Sequence, residues 1–302
     1  MAELDLIPHD DPEQDTPERH KVAQRSTLVS VVVNLVLTTV QVFVGVLAHS
    51  QALIADGIHS LSDLIADFVV LIANKHSHKE ADDDHHYGHH RYETAASLVL
   101  GALLLSVGVG MLWGAVNKLS DPDVIPKVKP IALWVAVIAL VSKELLFRYM
   151  LAAAERVRSS MLVANAWHAR SDAASSLVVA LGIIGNLLGF PLLDPVAALI
   201  VGLMVTKMGW DFGWDALNDL MDRSASQDQI DEIIAILRET PGVQGVHDVR
   251  TRKMGDMIMV DAHLEVDGLI SVKQGHDIAV VARERVVQKL PVLDVMVHLD
   301  PV

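Results

Sequence analysis

Six apolar segments, each near the ~20 residues that carry an α-helix across a hydrocarbon core, fill the first two-thirds of this 302-residue chain. They are residues 27–48, 52–74, 94–116, 130–151, about 161–189 and about 191–210. Lipid offers no water to satisfy backbone N–H and C=O groups, so a segment that spans it is a helix or part of a closed barrel. These segments predict a six-helix membrane bundle. The first and third carry no charge, and the third is glycine-rich, which suits close helix contact.

Positive residues near the segment ends set the orientation. Arg19, Lys21, Arg25, Lys75, Lys79, Arg91, Arg148, Arg156 and Arg158 fall on one side, against Lys118, Lys127 and Lys129 on the other. This bias puts both termini in the cytosol. Residues 1–24 are read as a disordered cytosolic tail, polar and acidic and without the apolar region of a cleaved signal peptide. The net charge of −14 argues against a nucleic-acid partner, and the absence of cysteine excludes disulfides and thiolate metal sites.

The second and fifth segments break their own apolar pattern. His59 and Asp63 lie four residues apart, on one helix face, and His168 and Asp172 repeat the spacing. Ionisable groups at membrane depth are costly and mark ion or substrate paths. Counted inward at ~1.5 Å per residue, both pairs fall near the middle of the core and can meet. Two imidazoles and two carboxylates match what a tetrahedral Zn²⁺ takes. Asp56 and Asp67 flank the first pair by a turn each, as groups supporting the ligands or as solvated helix ends. Lys143 and Glu144, adjacent in the fourth segment, are read as structural or interfacial, Arg170 as snorkelling, and Asp211 and Asp215 as a solvated helix end.

The loop after the second segment, KHSHKEADDDHHYGHHRYE, gathers Asp82, His85 and His89 among further histidines, a composition that binds metal. After Asp222 the chain turns soluble. Residues 227–238 have helical periodicity with Ser226 as N-cap, 246–254 and 257–266 alternate as strands, 274–290 is an amphipathic helix, and 292–299 a last strand. Val260, Ala262, Leu264 and Val266 face a core, leaving His263 on the open side. Leu293, Val295, Val297 and Leu299 do the same for His298 and Asp300. His247 precedes the first strand and His276 sits on the second helix.

HxxxD in two spans, DDDHHYGHHRYE, LMDR at residues 220–223, PGVQGVHDVRTRKMG and the closing VHLDP together resemble the cation diffusion facilitator family, over nearly all of the chain beyond the tail. The resemblance implies a membrane domain over 25–215 and a cytosolic ferredoxin-like metal-binding domain over 216–302. It implies a homodimer in the inner (plasma) membrane that exports divalent metal, mostly Zn²⁺, in exchange for protons, and is not an enzyme. Residue by residue, it implies a transport site of His59, Asp63, His168 and Asp172, and a loop site of Asp82, His85 and His89. A binuclear cytosolic site would use His247, His263 and Asp300 for one ion, with His276 and His298 holding the other and Asp300 bridging, so Zn²⁺ serves as substrate and as structural or regulatory ion. Arg91 would pair with Asp222 in a dimer-stabilising interlock, and Trp167 would stand at an apolar gate. Some bacterial members have Asp where His59 stands and carry Zn²⁺ and Cd²⁺ alike, whereas His there goes with Zn²⁺ preference. Ligands that some relatives carry beyond Asp300 have no counterpart in this sequence.

The same residues admit other readings. Export of Fe²⁺, Mn²⁺ or Cd²⁺ keeps the mechanism and changes the cargo. A membrane metal sensor would bind without flux. An intramembrane hydrolase needs an open coordination position, which four ligands would close.

Overall fold

The protein, seen in a computed structural model, is described for residues 17–77, 79–121, 125–156 and 160–302. Six long helices come first: α1 (Pro17–Ala48), α2 (Gln51–Ser77), α3 (Arg91–Ser120), α4 (Ile131–Arg156), α5 (Ser160–Leu187) and α6 (Leu193–Leu220). The shortest has 26 residues, about 39 Å of helix at 1.5 Å per residue, so all six exceed the thickness of a hydrocarbon core. By length and composition, Arg25–Ala48 within α1, α3 and α6 are apolar enough to cross a membrane. In α2, α4 and α5 the same length is interrupted by ionisable residues. Helix α1 begins at Pro17, inside the stretch expected to be tail, because proline's fixed φ and missing N–H cost nothing in a helix's first turn.

The chain divides into two compact units, one formed by the chain up to Asp67 with Leu104–Met208, the other by Phe68–Leu103 with Gly209–Val302. The first unit packs on small side chains: Ala48, Ala52, Ala55, Ala115, Ala132, Ala136, Ala197 and Ala198 are buried with Leu53, Ile183 and Val201. Such residues let helices approach closely where lipid supplies no hydrophobic drive. At Gly108 a Cβ would stand 2.6 Å from the Thr206 backbone nitrogen, so α3 and α6 touch through their main chains. Large apolar side chains point outward instead, Trp113 at 71% and Trp134 at 70% exposure, the inverse of a water-soluble protein and the surface a lipid-facing bundle needs.

The start of α2 is fixed from two directions. His49, at φ 61°, reverses the chain after α1, and the Ser50 hydroxyl accepts from Leu53 N at 3.1 Å as N-cap. The buried Asp194 carboxylate of α6 accepts from Ser50 Oγ at 2.6 Å and from Gln51 N at 2.7 Å, placing an anion on the positive end of the helix.

In the second unit, α7 (Gln227–Arg238), β1 (Gly245–Met254), β2 (Met257–Val266), α8 (Val272–Lys289) and β3 (Val292–Pro301) follow in order. The sheet runs β1-β2-β3, with β1 antiparallel and β3 parallel to β2. Ser226 caps α7 through a capping box with Gln229, and Ser271 caps α8 through one with Gln274. The second box moves the start of α8 ahead of residue 274, where periodicity alone began it. Ile233, Leu237, Val260, Ala262, Leu264, Ala282, Val286 and Val295 form the core, with the buried face of β2 as the alternation requires. Two details depart from the pattern. Residue Leu293 falls at an irregularity where Ile258 pairs with Val292 and Met259 already with Asp294, which takes it out of the inward set. His247 lies within β1, not before it.

Candidate metal centres

Helices α2 and α5 bring His59, Asp63 and Asp172 together. His59 Nδ1 stands 3.5 Å from Asp63 Oδ2, one turn along α2, and His59 Nε2 3.9 Å from Asp172 Oδ1 on α5. The imidazole thus has a carboxylate on each side. His59 and Asp172 are buried, and among the described residues neither His59 Nδ1 nor Asp63 Oδ2 finds a hydrogen-bond partner. Buried polar atoms left without partners are rare and costly. One imidazole and two carboxylates converge in that condition, a donor set that could hold a cation. His168, the fourth expected ligand, is exposed on α5 and does not join the group. Its neighbours Trp167 and Arg170 are exposed too, and the Arg170 guanidinium lies over the Phe147 ring at 4.9 Å and the Trp167 ring at 5.0 Å. Arg170 is therefore held by cation–π stacking instead of extending freely. Trp167, the expected gate, packs its ring 5.6 Å from Phe147.

Behind this group lies a polar network that sequence reading missed. Asp56 is fully buried, not a solvated helix end, and pairs with the equally buried Lys143 at 3.3 Å. Lys143 is accordingly structural and not interfacial, whereas its neighbour Glu144 pairs with Arg148 at the surface. The available signal was a lysine and an aspartate in two different apolar segments, since buried charges come in pairs. Asp67, by contrast, is exposed.

In the loop, Asp82, His85 and His89 do converge. Asp82 Oδ1 lies 3.4 Å from His85 Nδ1, and Asp82 Oδ2 3.4 Å from His89 Nε2. His89 Nδ1 faces the Lys79 and Glu80 carbonyls at 3.3 and 3.2 Å; a proton there leaves Nε2 as the ligand atom. The Lys79 ammonium hydrogen-bonded to Asp82, with the His85 and Asp84 N–H groups, holds the Asp82 carboxyl well below the usual carboxylate range.

The open face of the small sheet carries the third centre. Register pairs His247 with His263 across β1 and β2, and His263 with His298 across β2 and β3, which lines up three imidazoles. Asp300 sits among them: Oδ2 is 2.9 Å from His263 Nδ1 and 3.2 Å from His247 Nε2, and Oδ1 is 3.4 Å from His298 Nε2. The His263 hydrogen bond, then the nearby imidazoles, lower the Asp300 pKa. Two metal-sized groups share His263: one with His298 and Asp300, the other with His247 and Asp248. A zinc or similar ion fits this mixture of imidazole and carboxylate donors. Asp248 was not foreseen; it reaches the site because β1 bulges after His247 and turns Asp248 to φ 46°. His276 is exposed on α8 and joins neither group. Arg91 and Asp222 form an ion pair within the chain. Asp215 is not simply solvated: its carboxylate takes hydrogen bonds from Arg223.

Two family signatures cover the chain. The cation efflux transmembrane domain matches residues 27–221, and the cation efflux protein cytoplasmic domain matches residues 225–302. Metal tolerance protein C1 of Arabidopsis thaliana is 32% identical over 97% of this chain and 65% of its own length, so the chain spans just under two-thirds of that relative. The manganese efflux system protein MneP of Bacillus subtilis is 31% identical over 94% of this chain and 98% of its own. Among solved structures, the metal-bound C-terminal domain of the CzcD transporter from Thermotoga maritima is 35% identical over 24% of this chain and 87% of that one, with a TM-score of 0.24. The chain belongs to the cation efflux, or cation diffusion facilitator, family of membrane metal transporters.

Proposed function

We propose that this protein exports a divalent metal ion, Zn²⁺ in the first instance, from the cytosol in exchange for protons, using His59, Asp63 and Asp172 as the transport site with His168 as a fourth ligand supplied from the exposed side. The observation that carries the reading is the convergence of one imidazole and two carboxylates, with His59 Nδ1 and Asp63 Oδ2 lacking hydrogen bonds among the described residues, on two membrane-length helices. Metal binding needs neutral imidazole and ionised carboxylate, so an arriving cation displaces protons and arriving protons displace the cation. That competition is sufficient for exchange once the site alternates between two sides. His168 lies one turn from Asp172, and a modest rotation of α5 about its axis would bring its ring to the group, a rearrangement of the kind that alternating access employs. The cytosolic group around His263 and Asp300 would hold regulatory ions and, in a homodimer, couple cytosolic metal to the arrangement of the two subunits. Arg91 and Asp222 would brace that dimer where the membrane helices meet the cytosolic domain. Both termini lie in the cytosol on this reading.

A second cargo has a specific observation in its favour. The three converged donors are oxygen-rich, a set that suits Mn²⁺, and MneP is named for manganese efflux. With His168 engaged the site becomes a two-imidazole zinc site; without it, manganese is favoured. The test is metal flux into proteoliposomes under an imposed pH gradient, with Zn²⁺ and Mn²⁺ each alone and in competition. Flux that rises with the gradient and prefers Zn²⁺ supports the proposal. A Mn²⁺ preference replaces the cargo, and binding without flux makes the protein a sensor.

A further inference from the structure

The buried charges behind the transport site are arranged to a purpose. Asp56 and Lys143, at 0% and 2% exposure, lie on α2 and α4. Lys143 Nζ stands 3.3 Å from Asp56 Oδ1 and donates to Ser176 Oγ at 2.8 Å; a third contact, at 3.5 Å, is the main-chain carbonyl of Asp172 itself. Asp56 is held in turn by Gln41 of α1 and by the Ser175 and Ser176 hydroxyls at 3.2 and 2.7 Å. The Ser175 hydroxyl also reaches the Asp172 carbonyl, at 2.8 Å. Every contact of this ammonium thus lies on, or within one turn of, the segments that carry the transport ligands.

A fixed cation beside a cation-binding site is a hazard. In the absence of metal, the carboxylate of Asp172 is the natural partner for Lys143, which already touches that residue's backbone. An ammonium on Asp172 would occupy the position that the metal must take. Asp56 offers the ammonium a carboxylate of its own at 3.3 Å, itself held by the neutral Gln41 amide and Ser176 hydroxyl.

We propose that Asp56 is a positioning residue that sequesters Lys143, keeping a built-in competitor off Asp172 and so setting the affinity of the transport site for its metal. The inference rests on the transport-site reading above. It differs from a purely structural ion pair in the sign of its consequences. In a structural pair, loss of either member leaves an uncompensated buried charge and damages the protein alike. In a sequestering pair, Asp56→Asn frees Lys143 to bind Asp172 and weakens metal binding. Lys143→Met removes the competitor and leaves an extra negative charge nearby, which strengthens it.

The experiment is Zn²⁺ transport by the full-length protein in proteoliposomes, with KM and maximal rate measured separately for Asp56→Asn, Lys143→Met, the double variant and Asp172→Ala. The expected result is a KM raised about tenfold in Asp56→Asn with the maximal rate recovered at high zinc, a lowered KM in Lys143→Met, and a double variant within about threefold of wild type. Equal losses in both single variants, or a fall in maximal rate at unchanged KM, would overturn the inference. Should Asp56→Asn fail to assemble, Lys143→Met and the double variant decide it: a KM that does not fall in the first, or stays well above wild type in the second, refutes sequestration. Asp172→Ala separates the two levels, because undiminished transport by that variant refutes the transport site itself.

Discussion

At the scale of single residues, the three centres differ in how their ligands are held. His59 and Asp63 were legible because four-residue spacing puts them on one face of α2. Asp172 repeated the pattern, while His168, with the same spacing, stays outside the group on an exposed part of α5. Spacing fixes a face of a helix but not the helix's rotation against its neighbour, so three of the four expected ligands meet here. Asp56 and Lys143 escaped recognition for a related reason: their pairing depends on which faces of α2 and α4 meet, and nothing local in either segment encodes that. Asp300 makes a pH prediction. Its carboxyl is lowered mainly by the His263 hydrogen bond; a depressed folded value contributes stability above the unfolded pKa that is lost as pH falls through the folded one. Thermal midpoints of the metal-free protein and of Asp300→Asn should therefore differ at pH 6. Their difference should begin to shrink near the ordinary carboxylate value of ~3.9 and vanish in stronger acid. A difference that stayed constant throughout that range would show that the His263–Asp300 bond contributes nothing pH-dependent.

At the scale of elements, the helix and strand order was readable because each segment carried its own period: long apolar runs in the membrane portion, alternation in β2, and an amphipathic α7. Ends were set by local chemistry that periodicity does not report, such as the Ser271–Gln274 box and the proline at residue 17. The membrane helices add a constraint that sequence signals only weakly, namely contact through main chain. Gly108 on α3 leaves no space for a side chain against Thr206 on α6. Gly108→Val should force those helices apart and cost about 1–3 kcal/mol, as overpacking does, visible as a lowered thermal midpoint in detergent. Gly110, with open space around the position of its Cβ, is the control: Gly110→Ala should leave the midpoint within experimental scatter. Equal effects at the two glycines would mean that α3 and α6 are not packed as described.

For the molecule as a whole, the division of labour follows from where charge can be afforded. Lipid-facing surfaces are apolar, with Trp113 and Trp134 turned outward. The buried ionisable groups His59, Asp172, Asp56 and Lys143 sit where helices meet inside the bundle, where the stable states are paired, protonated or bound to metal. On the function proposed above, such a site would act as an exchanger, since each of its states is reached by moving a cation or a proton. The small α/β domain differs: it displays His263 and His298 on the open face of a sheet, where, on the proposed reading, metal would come and go without a membrane crossing. The measurement that tests this account most directly is metal flux through the ligand variants side by side. His59→Ala, Asp63→Ala and Asp172→Ala, each in the full-length protein reconstituted under a pH gradient, should fall to the level of empty vesicles. His263→Ala and Asp300→Ala should still transport, with an altered dependence on cytosolic-side metal. Flux that survived loss of Asp172 while vanishing with His263 would contradict the account, and would move the path of the ion away from the site between α2 and α5.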